Sequence, residues 1–100
     1  MNRDLLRQAQ QLQAKLAKAQ QEIEAATVEA SAGGGVIKVV VSGKMKVQSI
    51  KIDPQTVDPQ DVGMLEELVL AAVNEGLQKA QDFAQQKMSG VTGGLKLPGM

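Results

Sequence analysis

Four cationic side chains near the amino terminus, Arg3, Arg7, Lys15 and Lys18, are spaced so that a helix would gather them on its polar side. With Leu5 at zero on a helical wheel, Arg3, Arg7 and Lys18 fall at about 160–220° and Lys15 at about 280°. The row from Arg3 to Lys18 would extend about 22 Å, with Gln10, Gln11 and Gln21 beside it as hydrogen-bond donors. Groups of these types neutralise phosphates and donate to their oxygens. By itself, such a face is also what any solvated helix presents.

A second cationic group, Lys38, Lys44, Lys46 and Lys51, occupies a β-branched stretch with no acid between residues 38 and 52. Its ordinary role would be to solvate and protect sheet edges; a second basic surface is the alternative. Lys79 and Lys87 lie within about 40° of the centre of an apolar helix stripe and are expected to snorkel past it.

Other chemistries are excluded by residue type. The chain has no Cys and no His, which removes thiolate and imidazole catalysis and the usual transition-metal ligands. Gly33-Gly34-Gly35 does not continue into GxGxxG, and Gly43-Lys44 lacks the glycine and hydroxyl residue of a phosphate-binding loop. Glu66 and Glu67 are adjacent, so they diverge on a helix and suit a helix start better than an acid/base pair. No enzyme activity, cofactor or metal is expected. Phe83 is the only aromatic and is expected in the core, which leaves no stacking platform or intercalating wedge. The longest apolar run is Leu68–Val73, too short to span a bilayer, and "MNRDLLRQAQQ" has no signal-peptide hydrophobic region. The expected location is cytoplasmic.

The elements that must position these residues follow from periodicity. Leu5, Ala9, Leu12, Leu16, Ala19, Ile23 and Ala26 form a heptad seam, predicting a helix from Asp4 to about Ala25. "TVEASA" predicts a short strand, Gly33-Gly34-Gly35 a sharp reversal, and Val36–Val41 a second strand with Ile37, Val39 and Val41 on one face. Ser42-Gly43-Lys44 suits a hairpin turn. In the third strand Met45 and Val47 have one parity and Ile50 and Ile52 the other, so a β-bulge near Gln48-Ser49 is needed to bring them to one face. Asp58 is the expected N-cap of a second helix running from Pro59 to Met88. The tail "SGVTGGLKLPGM" is expected to be mobile.

The predicted fold is therefore α+β: a long amino-terminal helix, a three-stranded antiparallel meander and a long carboxy-terminal helix. Residues 1–89 form one domain and 90–100 a flexible Gly/Pro-containing tail. The helices, about 33 and 45 Å long, must overhang strands of about 20 Å. A homodimer joined through the sheet region, with the helices as projecting arms, would also cover the sheet's open edges.

Taken in order, the segment "LLRQAQQLQAKLAKAQQEIEAATVEASAGGGVIKVVVSGKMKVQSIKIDP", the helix "DVGMLEELVLAAVNEGLQKAQ" and the ending "MSGVTGGLKLPGM" resemble the YbaB/EbfC family of nucleoid-associated proteins along the whole chain. The resemblance implies a tweezer-shaped homodimer that binds duplex DNA without catalysis, with little or relaxed sequence preference, and associates with the bacterial nucleoid. The residues expected to contact DNA are Arg3, Arg7, Lys15 and Lys18, with Gln11 secondary. The alternative is a dimeric adaptor for DNA replication or recombination proteins, in which Glu66, Glu67 and Glu75 would matter more than the arginines.

Overall fold

The heptad seam forms helix α1 (Arg3–Ala25) in a computed structural model that describes residues 2–92. Asn2 caps it, its side chain accepting from the Asp4 amide at 3.0 Å. The chain then enters the meander at once: β1 (Thr27–Ala32), β2 (Ile37–Ser42) and β3 (Val47–Ile52) pair antiparallel in the order β1-β2-β3. After a single 3₁₀ turn at Pro54–Thr56, helix α2 runs from Val62 to Thr92.

Two reversals make the sheet. Gly33, Gly34 and Gly35 all have positive φ (65°, 73° and 98°), a succession that residues with a Cβ rarely adopt. Val36 belongs to this turn, so β2 begins one residue later than the sequence pattern places it. The second turn runs through Gly43, Lys44 and Met45, with Met45 at φ 64°. It is closed by the Met45 amide donating to the Ser42 carbonyl at 2.9 Å. The expected bulge is present: Val41 faces Val47 while Val40 faces Ser49, leaving Gln48 unpaired. Val47, Ile50 and Ile52 consequently share the face of Val41, Val39 and Ile37.

The core lies between that face and α2. Ile37, Val39 and Val41 are fully buried, together with Ala72 and Ala80, and Val28, Leu65, Leu68, Val73 and Leu77 pack around them. Helix and sheet approach closely at Gly76, where a Cβ would sit 2.7 Å from Val41 Cγ2. The glycine in the α2 stripe thus permits the approach.

The helix ends differ from the expectation. Asp58 does not cap α2: its side chain accepts from the Gln60 amide at 2.9 Å and its carbonyl from the Asp61 amide at 2.9 Å, forming a turn around Pro59. Asp61, accepting from the Met64 amide at 3.3 Å, takes the capping position. At the other end the helix passes Met88 and continues to Thr92, so residues 90–92 of the expected tail are helical. Val91 gains partial burial beside α1, and one exposed glycine, Gly90, costs a helix only about 1 kcal/mol. The rest of that tail lies outside the described residues. No described helix is long and apolar enough to cross a membrane.

Candidate nucleic-acid interface

Among the described residues, helix α1 is held by its carboxy-terminal half. Ala19 and Ile23 are buried and Leu12 and Leu16 half-buried, whereas Leu5 is 63% exposed and Ala9 is also exposed. The seam thus continues past the described part of its packing partner. The described residues extend 71 × 27 × 16 Å with a radius of gyration of 19.7 Å, against about 13 Å for a typical globular domain of this length.

This attachment divides the four sequence-predicted cations into two pairs. Arg3 and Arg7 stand on the projecting end of α1, exposed. Lys15 and Lys18 line an open cleft of about 510 Å³ between the helices, together with Glu22, Gln86, Lys87 and Val91. Gln11 lies between the pairs and is exposed. Among the described residues, none of the four cations is within ion-pair distance of a carboxylate. Each is therefore available to an anionic ligand.

The cleft is crossed by a link between the helices that the sequence did not disclose. Lys87 Nζ donates to Glu22 Oε2 at 2.9 Å and lies 5.8 Å from the Phe83 ring centroid. The hydrogen bond and charge of Lys87 hold the Glu22 carboxyl below the usual glutamate range, with a smaller contribution from Lys18. Lys87 thus leaves the apolar stripe to tie α2 to α1, and Phe83, expected in the core, is only half-buried. Lys79 likewise snorkels, its Nζ donating to the Glu29 carbonyl at 3.2 Å and lying 3.8 Å from Glu75.

The sheet offers two further surfaces. Helix α2 packs over β1 and β2 and scarcely reaches β3, so Val47, Ile50 and Ile52 remain 39%, 44% and 38% exposed on the inner face. Leu70, at 61%, borders an apolar hollow on α2 formed with Leu65, Val69 and Val73. The outer face carries Lys38 and Lys51, exposed and directly opposite one another.

Residues 1–95 match the YbaB/EbfC DNA-binding family. The chain belongs to that family. Among YbaB/EbfC relatives, a protein of Syntrophobacter fumaroxidans is 50% identical over 95 residues, covering 95% of this chain and 86% of its own length. One from Ruminiclostridium cellulolyticum is 51% identical over 98 residues, covering 97% and 85%. Both are named nucleoid-associated proteins. The fold is similar to the crystal structure of an uncharacterized protein, HP0035, from Helicobacter pylori, with a TM-score of 0.63 over 78% of this chain and 90% of that one. At 14% identity the likeness shows the YbaB/EbfC chain's fold alone.

Proposed function

We propose that the protein is a nucleoid-associated homodimer that holds duplex DNA by its phosphates, with little or relaxed sequence preference. The observation that carries this reading is the free end of α1, where Arg3 and Arg7 project beyond the packed body and, among the described residues, have no acidic partner. Lys15 and Lys18 continue the row toward the cleft. Family membership and the names of the relatives support DNA as the partner and the nucleoid as the location.

The mechanism is electrostatic. Each cation that neutralises a phosphate releases condensed counterions, so affinity falls with salt by a slope of about 0.9 per contact. Long flexible lysine and arginine side chains on a helix reach backbone oxygens without reading base edges, which accounts for weak sequence preference. Dimerisation would present two such arms. Its support is the uncovered inner face of β3, because an apolar row of this kind in a soluble protein marks an interaction surface.

Binding to a random-sequence duplex across a salt series tests the assignment. The Arg3→Ala/Arg7→Ala and Lys15→Ala/Lys18→Ala doubles should each weaken binding and lower the salt slope by about 2. Unchanged binding and slope in both doubles would remove the arm from the site. No binding by the parent protein at low salt would direct attention to protein partners instead.

A further inference from the structure

The outer face of the sheet is ordered into transverse rows. In register across the three strands stand Ser31, Lys38 and Lys51; then Glu29, Val40 and Ser49; then Thr27 and Ser42. Lys46 completes the last row, since the Ser42 amide donates to its carbonyl at 2.8 Å and its own amide reaches Ser42 Oγ at 3.4 Å. Four steps along β2 separate the first row from the last, about 13 Å. Between the lysines the middle row carries Val40 at its centre, Ser49 exposed on the β3 side and the acid Glu29 at the β1 edge, so the cationic strip runs along β2 and β3.

Lys38 and Lys51 are the anomaly in this surface. Like charges directly opposite one another destabilise a sheet. Lysines on exposed strands are usually explained by protection of an edge, which fits Lys51 on β3. It does not fit Lys38, because β2 is the central strand and has no free edge. Nor are these charges neutralised internally: among the described residues, Lys38, Lys46 and Lys51 have no carboxylate within ion-pair distance. Of the nearby acids, Glu29 is one row away on β1, and Asp53 accepts from the Gln55 amide at 3.0 Å. The arrangement has a repulsive cost that an anion set between the two ammonium groups would relieve.

We propose that the outer sheet face is a second phosphate-contact surface for duplex DNA, separate from the α1 row, with Lys38 and Lys51 flanking one backbone phosphate and Lys46 reaching another. The proposal rests on the DNA-binding reading and extends it to an element that reading does not use. Charge complementarity supports the partner, and the exposed Ser31 and Ser49 supply neutral donors beside the lysines.

The absence of cysteine allows a direct test. Ser49→Cys and Gln10→Cys, each carrying a photoactivatable cross-linker, place a probe on the sheet face and on the arm of the full-length protein. With a labelled random-sequence duplex, both positions should cross-link, and both signals should fade with salt. Cross-linking from Gln10→Cys without Ser49→Cys overturns the second surface while leaving the arm reading intact. Cross-linking from neither, with no binding by the parent chain, overturns both.

The Lys38→Gln/Lys51→Gln double gives an independent measure. It should lower the salt slope by about 1 and weaken low-salt binding several-fold, while its thermal midpoint stays equal or rises as the repulsion is removed. An unchanged slope in this folded variant overturns the proposal.

Discussion

Strands β2 and β3 present nearly the same side chains to the same side of the sheet and meet opposite fates. Ile37 faces Ile52, Val39 faces Ile50 and Val41 faces Val47; the first of each pair is fully buried and its partner about two-fifths exposed. The difference does not lie in the residues. It lies in the width of what covers them: a helix about 10 Å across spans two strands set about 4.8 Å apart, and α2 is centred over β1 and β2. One row therefore stabilises the single chain, and the other is left open on the inner face.

The sharpest way to break the comparison is to truncate both members of one pair. Ile37→Ala should cost about 2–5 kcal/mol in denaturant unfolding, whatever the protein concentration. Ile52→Ala should cost less, and its cost should depend on concentration if the β3 row is covered by a second copy. A loss at Ile52 that matches Ile37 and ignores concentration would mean that the two rows are not different in kind.

Two glycines of α2 sharpen the same contrast. Gly76→Ala forces a methyl against Val41 on the covered side and should destabilise by about 1–3 kcal/mol. Gly63→Ala meets nothing within 4 Å and should be neutral or stabilising by up to about 1 kcal/mol. Equal thermal midpoints for the two variants would contradict the close approach of α2 to β2.

The smallest effect concerns the clasp between the helices. Glu22 has its folded-state pKa lowered by Lys87, so its contribution is present above the ordinary glutamate range and lost as pH falls through the depressed folded value. Both partners are partly exposed and screened by solvent, so Glu22→Gln should lower stability only slightly. The stability difference between Glu22→Gln and the parent protein should close on acidification. A difference that persists below that range would assign the effect to something other than this ion pair.

Much of this organisation was legible beforehand. The heptad seam located α1 to within a residue, and the parity slip between Val47 and Ile50 required the bulge that Gln48 provides. Local signals misplaced the start of α2, because Asp58-Pro59 satisfies the rules of a turn as well as those of a helix start, and Asp61 sits three residues on. The lateral position of α2 was beyond reach. Helical periodicity tells which face of a helix is apolar and nothing of which strands it will lie across. The separation of Arg3 and Arg7 from Lys15 and Lys18 was hidden for the same reason, since a wheel records angle and not how far along the helix the packing extends.

The bulge at Gln48 has a consequence for how this chain tolerates change in length. Gln48 is exposed and unpaired, so exchanging it for another polar residue leaves the strand's alternation untouched. Deleting it would invert every side chain on one side of the gap relative to the other, sending either Val47 or the Ile50–Ile52 pair to the lysine face. Insertions and deletions are therefore far more disruptive in β3 than in the Gly33–Gly35 loop, and the third strand is a segment defined by its residue count as much as by its residues.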